Sequence, residues 1–146
     1  MNNPAHTTDC LSRSVVTTAL LLGSLTLPLI LVQAEAASGV VDQLLSELHD
    51  QAGSKFSLDR GALLFNQQQG RDNRSCTSCH TRDPRNRGKH HKTDKPIEPL
   101  APSANPQRLT DRTEINKWLL RNCKWTLGRE CSAQEKGDLL TWLRQQ

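Results

Sequence analysis

The stretch RSCTSCHTRD, residues 74–83, decides how this chain folds. Within it, Cys76, Cys79 and His80 stand in the order C-x-x-C-H. This spacing has three chemical interpretations, namely attachment of a haem, half of a zinc site, or a redox-active dithiol. Each interpretation predicts different surroundings for the motif, so the rest of the chain has to distinguish between them.

The composition leaves little material for a hydrophobic core. The chain has 146 residues and a net charge of +4, which suits one small domain. Hydrophobic residues make up 35% of it, and the aromatic residues are three tryptophans and two phenylalanines. A domain of this size with so few large apolar side chains is marginal by itself. A prosthetic group with a large apolar face would compensate.

The N-terminus has the pattern of a secretory signal peptide. Residues 14–34 carry no charge and include seven leucines, and Ala-Glu-Ala at 34–36 offers small residues to a signal peptidase. An uncleaved membrane anchor is the alternative, but a glycine and a proline within the apolar run favour cleavage. We therefore expect a signal peptide over 1–36. The mature domain, 37–146, would be periplasmic and not inserted in the membrane, in a compartment where disulfides persist.

Apolar spacing predicts four helices and no strand in the mature chain. The predicted helices are residues 40–51, residues 57–68 with Ser57 as N-cap, residues 111–123 with Thr110 as N-cap, and a fourth that begins with the capping box from Ser132 to Glu135. Gly61 in the second helix costs about 1 kcal/mol relative to alanine. Either another helix crosses very close to it, or the cost is tolerated.

A proline-rich loop separates the second and third predicted helices. Residues 81–109 hold five of the seven prolines and show neither helical nor strand periodicity. So long a structureless loop is unusual in a small domain unless it lines a ligand. The sequence therefore predicts an all-α fold with a long loop against a bound group.

Haem attachment is the interpretation of C-x-x-C-H that best suits an exported chain. Two thiols at this spacing can bond to the two vinyl groups of a haem, and the following histidine can bind the iron. Zinc would need a second pair of ligands, and Cys123 and Cys131 are spaced as a poor zinc knuckle but could form a disulfide. A thioredoxin-like dithiol would need a βαβ setting. We expect one covalent haem c, with a zinc-binding secreted domain as the weaker alternative.

The ligand on the other face of the iron cannot be methionine. The only methionine of the chain is Met1, which leaves with the signal peptide. The remaining candidates are His49, His90, His91, a lysine, a side-chain amide, or no protein ligand at all. The three histidines are each expected to be exposed.

Asn122 is the amide that the pattern singles out. It shares one predicted helix face with Ile115, Trp118 and Leu119, in the stretch TEINKWLLRNCKW. An amide at an apolar position needs a partner, and iron could be that partner. A helix C-cap is the other interpretation, which the pattern by itself slightly favours because asparagine is common near helix ends.

Six motifs, in this order and spacing, resemble the SHP-type monohaem cytochromes c, a variant of the class I cytochrome c fold. They are DRGALLF, SCTSCH, PLAPSANPQRLTD, KWLLRNC, GREC and EKGDLLTWL, and they cover the chain from about residue 57 to the C-terminus. The pair RNC and GREC is typical of that family and not of cytochromes c at large. The basic segment TRDPRNRGKHHK exceeds what the family leads us to expect, so nothing is transferred to it.

The resemblance implies a role for each motif residue. Cys76 and Cys79 would be the thioether positions and His80 the proximal iron ligand. Asn122 would be the sixth ligand, and Cys123 and Cys131 would form a disulfide beside the haem. The loop PIEPLAPSANP would line the haem.

The resemblance also implies a ligand switch. In that family the asparagine is released on reduction, so that ferrous haem can bind O₂, NO or CO. The electron donors are a dihaem cytochrome c and a membrane cytochrome b. A neutral amide oxygen is a hard donor that suits ferric iron better than ferrous iron, which agrees with such a switch. Reduction of O₂ or NO is a conceivable activity.

A simple electron carrier with a permanently six-coordinate haem is the alternative function. Residues 71–95 contain eight lysines or arginines against three aspartates, and these charges would steer an acidic redox partner. Nucleic acid is not an expected partner in this compartment.

Overall fold

The computed structural model describes residues 27–70 and 72–146 and shows a helical fold. The helices are α1 (Leu27–Ala52), α2 (Leu58–Asn66), α3 (Arg112–Leu127) and α4 (Ala133–Leu143). Between α2 and α3 lie a short 3-10 turn (Cys76–Ser78) and two strands, β1 (Gly88–Lys89) and β2 (Pro96–Ile97), which pair antiparallel. The all-α prediction is therefore confirmed.

The predicted signal peptide lies mostly outside the described part of the chain. Residues 1–26 are not described, so cleavage after Ala36 stays a prediction. Helix α1 begins at Leu27 and runs through the predicted cleavage site, whereas the sequence predicted a helix over 40–51. The leucine- and alanine-rich segment before residue 40 has high helix propensity, which explains the longer helix. Among the described residues, no helix combines the length and the apolar character that crossing a membrane requires.

Capping side chains mark where the other three helices begin. Ser57 accepts a hydrogen bond from the Arg60 N–H and begins α2 as predicted, and Ser132 and Glu135 form the predicted capping box of α4. The predicted N-cap of α3 is wrong. Asp111, not Thr110, accepts from the backbone N–H of Glu114, because a carboxylate at that position reaches the first turn.

Helix α3 also extends one turn beyond its predicted end at Cys123. It continues to Leu127, and Gly128 ends it in the left-handed conformation with a φ of 74°. Glycine adopts this conformation without the steric cost of a Cβ, which makes it a common helix terminator. The C-terminal turn of α3 therefore carries Trp125 and Thr126, which reach the C-x-x-C-H turn.

One hydrophobic cluster joins all four helices. Its buried members are Val41, Leu44, Leu45, Leu48, Phe65, Ile115, Leu119, Leu139, Leu140 and Leu143. Phe65 of α2 and Leu140 of α4 are its most completely buried side chains. Helix α2 crosses α4 at Gly61, where an added Cβ would lie 2.7 Å from the Cβ of Trp142. The close crossing inferred from Gly61 is thus present.

The proline-rich loop is more ordered than the sequence predicted. It contains the β1–β2 pair, with Gly88 opposite Ile97, which corrects the prediction that no strand is present. Strands of two residues are too short to produce an alternating pattern. Ala101 is fully buried, and its N–H donates to the Pro84 carbonyl oxygen at 3.0 Å, so the loop packs back on itself.

Asp138 is a buried carboxylate that joins α4 to the start of α2. It accepts hydrogen bonds from the Ser57 N–H at 2.7 Å, the Arg60 Nε at 2.7 Å and the Gln134 Nε2 at 2.9 Å. Burial raises the pKa of this carboxyl, but these hydrogen bonds lower it by more, so that its pKa lies below its ordinary value. The charged form of Asp138 therefore stabilises the fold.

We expect Asp138→Asn to lower the free energy of unfolding at pH 7 by about 1–2 kcal/mol. The loss stays modest because the Arg60 side chain is 52% exposed. A carboxyl whose pKa is lower in the folded state contributes stability above its unfolded pKa, and this contribution disappears as the pH falls through the folded pKa. Urea unfolding at pH 7 and pH 3 should therefore show a smaller difference between variant and parent at pH 3. Asp42→Asn removes an exposed pair with Arg144 and should change little at either pH.

Candidate haem site

The C-x-x-C-H motif forms one compact turn. Buried Ser75 precedes the 3-10 turn, and the N–H groups of Cys79 and His80 both donate to the Cys76 carbonyl oxygen, at 3.2 and 2.9 Å. Cys76 and Cys79 are free and partly buried. The two thiols and the imidazole therefore project from the same short stretch of backbone.

The protonation states of this turn suit a metal bound by nitrogen. Burial lowers the pKa of His80 to about 4, and the charge of Arg108 contributes in the same direction. The imidazole is thus neutral at pH 7, and a nitrogen lone pair is available to a metal. Burial raises the pKa of Cys76 to about 11, so this sulfur is a thiol and not a thiolate. The ring of Phe65 lies 6.4 Å from that of His80 and supplies an apolar neighbour.

The β1–β2 hairpin is held directly against this turn. The Lys89 N–H donates to the Cys79 carbonyl oxygen at 2.7 Å. A Cβ at Gly88 would overlap that oxygen and lie 3.0 Å from the His80 Cα. Only glycine permits this approach without displacement of the backbone. Sequence analysis missed Gly88, and its only signal was a single glycine within a very polar segment.

The C-terminal turn of α3 lies on the other side of the motif. The guanidinium of Arg74 stacks 4.5 Å from the Trp125 ring centroid and donates to the Trp125 carbonyl oxygen at 3.3 Å. The hydroxyl of Thr126 lies beside the Cys76 sulfur. Asn122 precedes Thr126 by one helical turn on α3. The structure thus brings the helix that carries Asn122 to the haem-attachment motif.

The predicted face of α3 needs correction. The buried face consists of Ile115, Leu119, Cys123 and Thr126. Trp118 and Asn122 are exposed and lie beside this face instead of within it. The C-cap interpretation of Asn122 is wrong, because the helix continues to Leu127. Its role as an iron ligand stays a prediction.

The three histidines proposed as alternative ligands are exposed, as expected. His49 packs edge-on against Phe56 at 6.0 Å, and the Nδ1 of His90 lies 3.0 Å from the Thr93 hydroxyl. His91 lies against the Trp125 ring, with 5.7 Å between the ring centroids. Of these three alternative iron ligands, His91 is therefore the one that contacts the C-terminal end of α3, where Asn122 also lies.

A disulfide joins Cys123 to Cys131. Both residues are buried, and Cys123 directly follows Asn122. Closing a loop of this length stabilises the fold by about 2–3 kcal/mol in the entropy model. The bond also occupies the two sulfurs that a zinc site would have needed. Throughout residues 27–70 and 72–146, no three His, Cys, Asp or Glu residues are grouped to hold a metal.

The donor set fits a haem c better than any other group. Two thiols on one turn match two vinyl groups, and a neutral imidazole follows them at the position of an axial ligand. Leu100 and Leu109, from the proline-rich loop, and Cys76 of the motif all pack against the same hydrophobic cluster. A zinc site would need four grouped ligands, and this motif supplies at most one histidine and two cysteines.

Comparison with known proteins agrees with this assignment. The domain family described as a domain of unknown function, DUF1924, matches residues 51–143. The cytochrome c-type protein SHP of Cereibacter sphaeroides is 45% identical over 107 residues, covering 71% of this chain and 82% of SHP. The structure of oxidised SHP, an oxygen-binding cytochrome c, has a TM-score of 0.69 at 43% identity, covering 73% of this chain and 96% of SHP.

A second relative is cytochrome c'' of Methylophilus methylotrophus. It is 36% identical over 91 residues, covering 60% of this chain and 62% of the relative. Its solution structure, which addresses haem-ligand detachment, has a TM-score of 0.63 at 29% identity and covers 77% of this chain and 95% of that one. This chain is therefore a c-type cytochrome of the SHP family, with one covalently bound haem c.

Proposed function

We propose that this protein is a periplasmic cytochrome that accepts electrons from a partner cytochrome and binds a diatomic gas in its reduced state. Cys76 and Cys79 form the thioether bonds, and His80 supplies the proximal nitrogen. Asn122 supplies an amide oxygen as the sixth ligand. The observation that carries the proposal is the contact of the C-terminal turn of α3 with the C-x-x-C-H turn, through Thr126 at Cys76 and Trp125 at Arg74.

The haem would supply an iron with two oxidation states, which His80 and Asn122 would bind. The amide oxygen of Asn122 is a hard, neutral donor, which ferric iron holds better than ferrous iron does. The neutral imidazole of His80 binds iron in both states. Reduction of the iron would therefore weaken its bond to Asn122 and not its bond to His80, which would allow O₂, NO or CO to bind in place of the amide.

The fold allows Asn122 to leave without disturbing its helix. Asn122 is exposed, whereas Ile115, Leu119 and Cys123 hold α3 in the core. The Cys123–Cys131 disulfide fixes the backbone beside Asn122. Release therefore requires only a rotation of the side chain. Detachment of a haem ligand is also the subject of the cytochrome c'' solution structure.

The proposed donors are a dihaem cytochrome c, a membrane cytochrome b, or both. The signal peptide over residues 1–36 would export the protein to their compartment. Whether the bound gas is reduced further depends on electron supply, and O₂ or NO reduction fits the same open position.

A simple electron carrier is the second candidate function. The exposed His91, beside Trp125, favours it because a second imidazole could bind the iron in both oxidation states. A haem with two nitrogen ligands would carry electrons without opening a site for gas.

Optical spectroscopy of the holoprotein distinguishes these functions. On reduction with dithionite we expect a low-spin ferric spectrum to change into that of a five-coordinate, high-spin ferrous haem. Addition of CO or NO should then shift the ferrous bands. A reduced protein that stays low-spin and does not respond to either gas would contradict the ligand switch and leave the electron carrier.

A further inference from the structure

We propose that residues 82–97, called here the basic hairpin, form the docking surface for an acidic electron-donating protein. This inference rests on the proposed electron acceptance and specifies where the donor binds. It is carried by two independent observations, which are the uncompensated charge of the hairpin and its direct attachment to the haem-binding turn.

The basic hairpin carries an excess of positive charge. It contains six lysines or arginines against two aspartates. Three of these cations have nearby acidic partners, in the pairs Arg85–Asp83 (2.8 Å), Lys89–Asp94 (3.1 Å) and Arg87–Glu98 (3.0 Å). The other three are Arg82, Lys92 and Lys95, which are exposed and form no ion pair with any residue that the structure describes. Their field extends into solvent and attracts negative charge.

Backbone hydrogen bonds give the basic hairpin a defined shape, so the side chains that carry its charges start from fixed positions. β1 and β2 pair through Gly88–Ile97 and Lys89–Pro96. At the tip, the His90 N–H donates to the Lys95 carbonyl oxygen at 2.8 Å, and the Asp94 N–H donates to the His90 carbonyl oxygen at 3.0 Å. A charged patch of fixed geometry can orient a partner, whereas a disordered basic tail only attracts one.

The base of the basic hairpin contacts the haem-binding turn itself. The backbone N–H of Lys89 donates a hydrogen bond to the Cys79 carbonyl oxygen at 2.7 Å, and Gly88 packs on the backbone of Cys79 and His80. Cys79 is one of the two residues that would carry a covalent bond to the haem. A donor bound on this hairpin would therefore lie directly beside the turn to which the haem is attached.

Other cations of the surface are mostly neutralised by neighbours. Arg129 pairs with Glu135 at 2.7 Å, Lys117 with Glu114 at 2.6 Å and Arg144 with Asp42 at 2.7 Å. The separate, exposed cations of the hairpin suit a broad acidic protein surface better than a small anion, which would need a converging pocket. The electron donor is therefore a protein that carries many carboxylates on the face around its own redox centre.

The test compares two charge reversals of equal size. One double variant, Lys92→Glu/Lys95→Glu, reverses two charges of the basic hairpin. The control variant, Lys55→Glu/Lys136→Glu, reverses the charge of Lys55 before α2 and of Lys136 within α4. Fully reduced flavodoxin, a small acidic electron-transfer protein, serves as the donor in stopped-flow reduction of the ferric holoprotein at low ionic strength. We expect the hairpin variant to react about tenfold more slowly than the parent and to lose most of its salt dependence. The control variant should stay within about twofold.

Two results would overturn the docking surface. One is a hairpin variant that reacts as fast as the parent, and the other is an equal loss in both variants, which would make net charge the cause. A third arm measures cosedimentation with phosphatidylglycerol vesicles. If the hairpin reversal abolishes vesicle binding but not the reaction with flavodoxin, the hairpin binds a membrane and the inference is wrong.

Failure of the proposed function gives a different signature. CO is added to the reduced parent and to both variants in the same samples. A haem that is reduced but does not bind CO contradicts the ligand switch, whichever variant reacts slowly. Normal CO binding with equal rates in all three proteins contradicts only the docking surface.

Discussion

Replacing Asn122 by histidine is expected to give a haem that stays six-coordinate and low-spin in both oxidation states. An imidazole nitrogen binds ferrous iron well, whereas an amide oxygen does not, so reduction no longer frees the sixth position. Because only the small fraction of protein with an open site can bind gas, the apparent CO affinity should fall by about 100-fold or more. Ferric and ferrous spectra, followed by a CO titration of the reduced protein, measure both effects.

Two further variants of α3 serve as controls for this substitution. Asn122→Ala removes the amide without adding a donor, so the ferric haem should become high-spin and the ferrous haem should still bind CO. Asn116→His places an imidazole at another exposed position of the same helix and should keep the spectra of the parent. If Asn122→His also keeps those spectra, Asn122 is not the ligand, and His91 becomes the first candidate to test.

Local sequence signals predicted most of the helical framework. Ser57 and the Ser132–Glu135 capping box marked helix starts correctly because cap side chains act over only three residues. Gly61 raised a close helix crossing as one of two explanations, because a glycine within a helix is costly without such a reason, and the structure shows the crossing. Gly128 would have marked the end of α3 correctly, but the prediction stopped at Cys123 and placed Asn122 at a helix end.

The details that local signals missed depend on long-range packing. Gly88 matters because it lies on the backbone of Cys79, a contact that no periodicity records. Trp118 and Asn122 fit the spacing of the apolar face, yet both are exposed, since the side chains that cover α3 lie over Ile115, Leu119 and Cys123 instead. The candidate site was identified from its motif, but the hairpin held against it required the structure.

Gly61→Ala is expected to destabilise the helical framework strongly. The added methyl group would overlap the Asp138 carbonyl oxygen and lie 2.7 Å from the Cβ of Trp142. Relief would require α4 to move away from α2, which would also disturb the contact between the rings of Phe65 and Trp142 at 4.8 Å. We expect the free energy of unfolding to fall by about 3 kcal/mol, although alanine is the better helix former. Guanidinium unfolding followed by far-ultraviolet circular dichroism measures the change.

Two other glycines provide matched controls for this prediction. In Gly137→Ala the three atoms nearest the methyl group all belong to the ring of Phe56, which is partly exposed and can turn, so the loss should be about 1–2 kcal/mol. Gly39 in α1 has no atom within 4 Å of an added Cβ, and Gly39→Ala should leave the stability unchanged or raise it by up to about 1 kcal/mol. An equal response of Gly61→Ala and Gly39→Ala would mean that α2 and α4 do not approach closely at Gly61. The order of the three variants therefore tests the helix crossing, because Gly61 and Gly137 both lie within a helix and differ mainly in what surrounds the new methyl group.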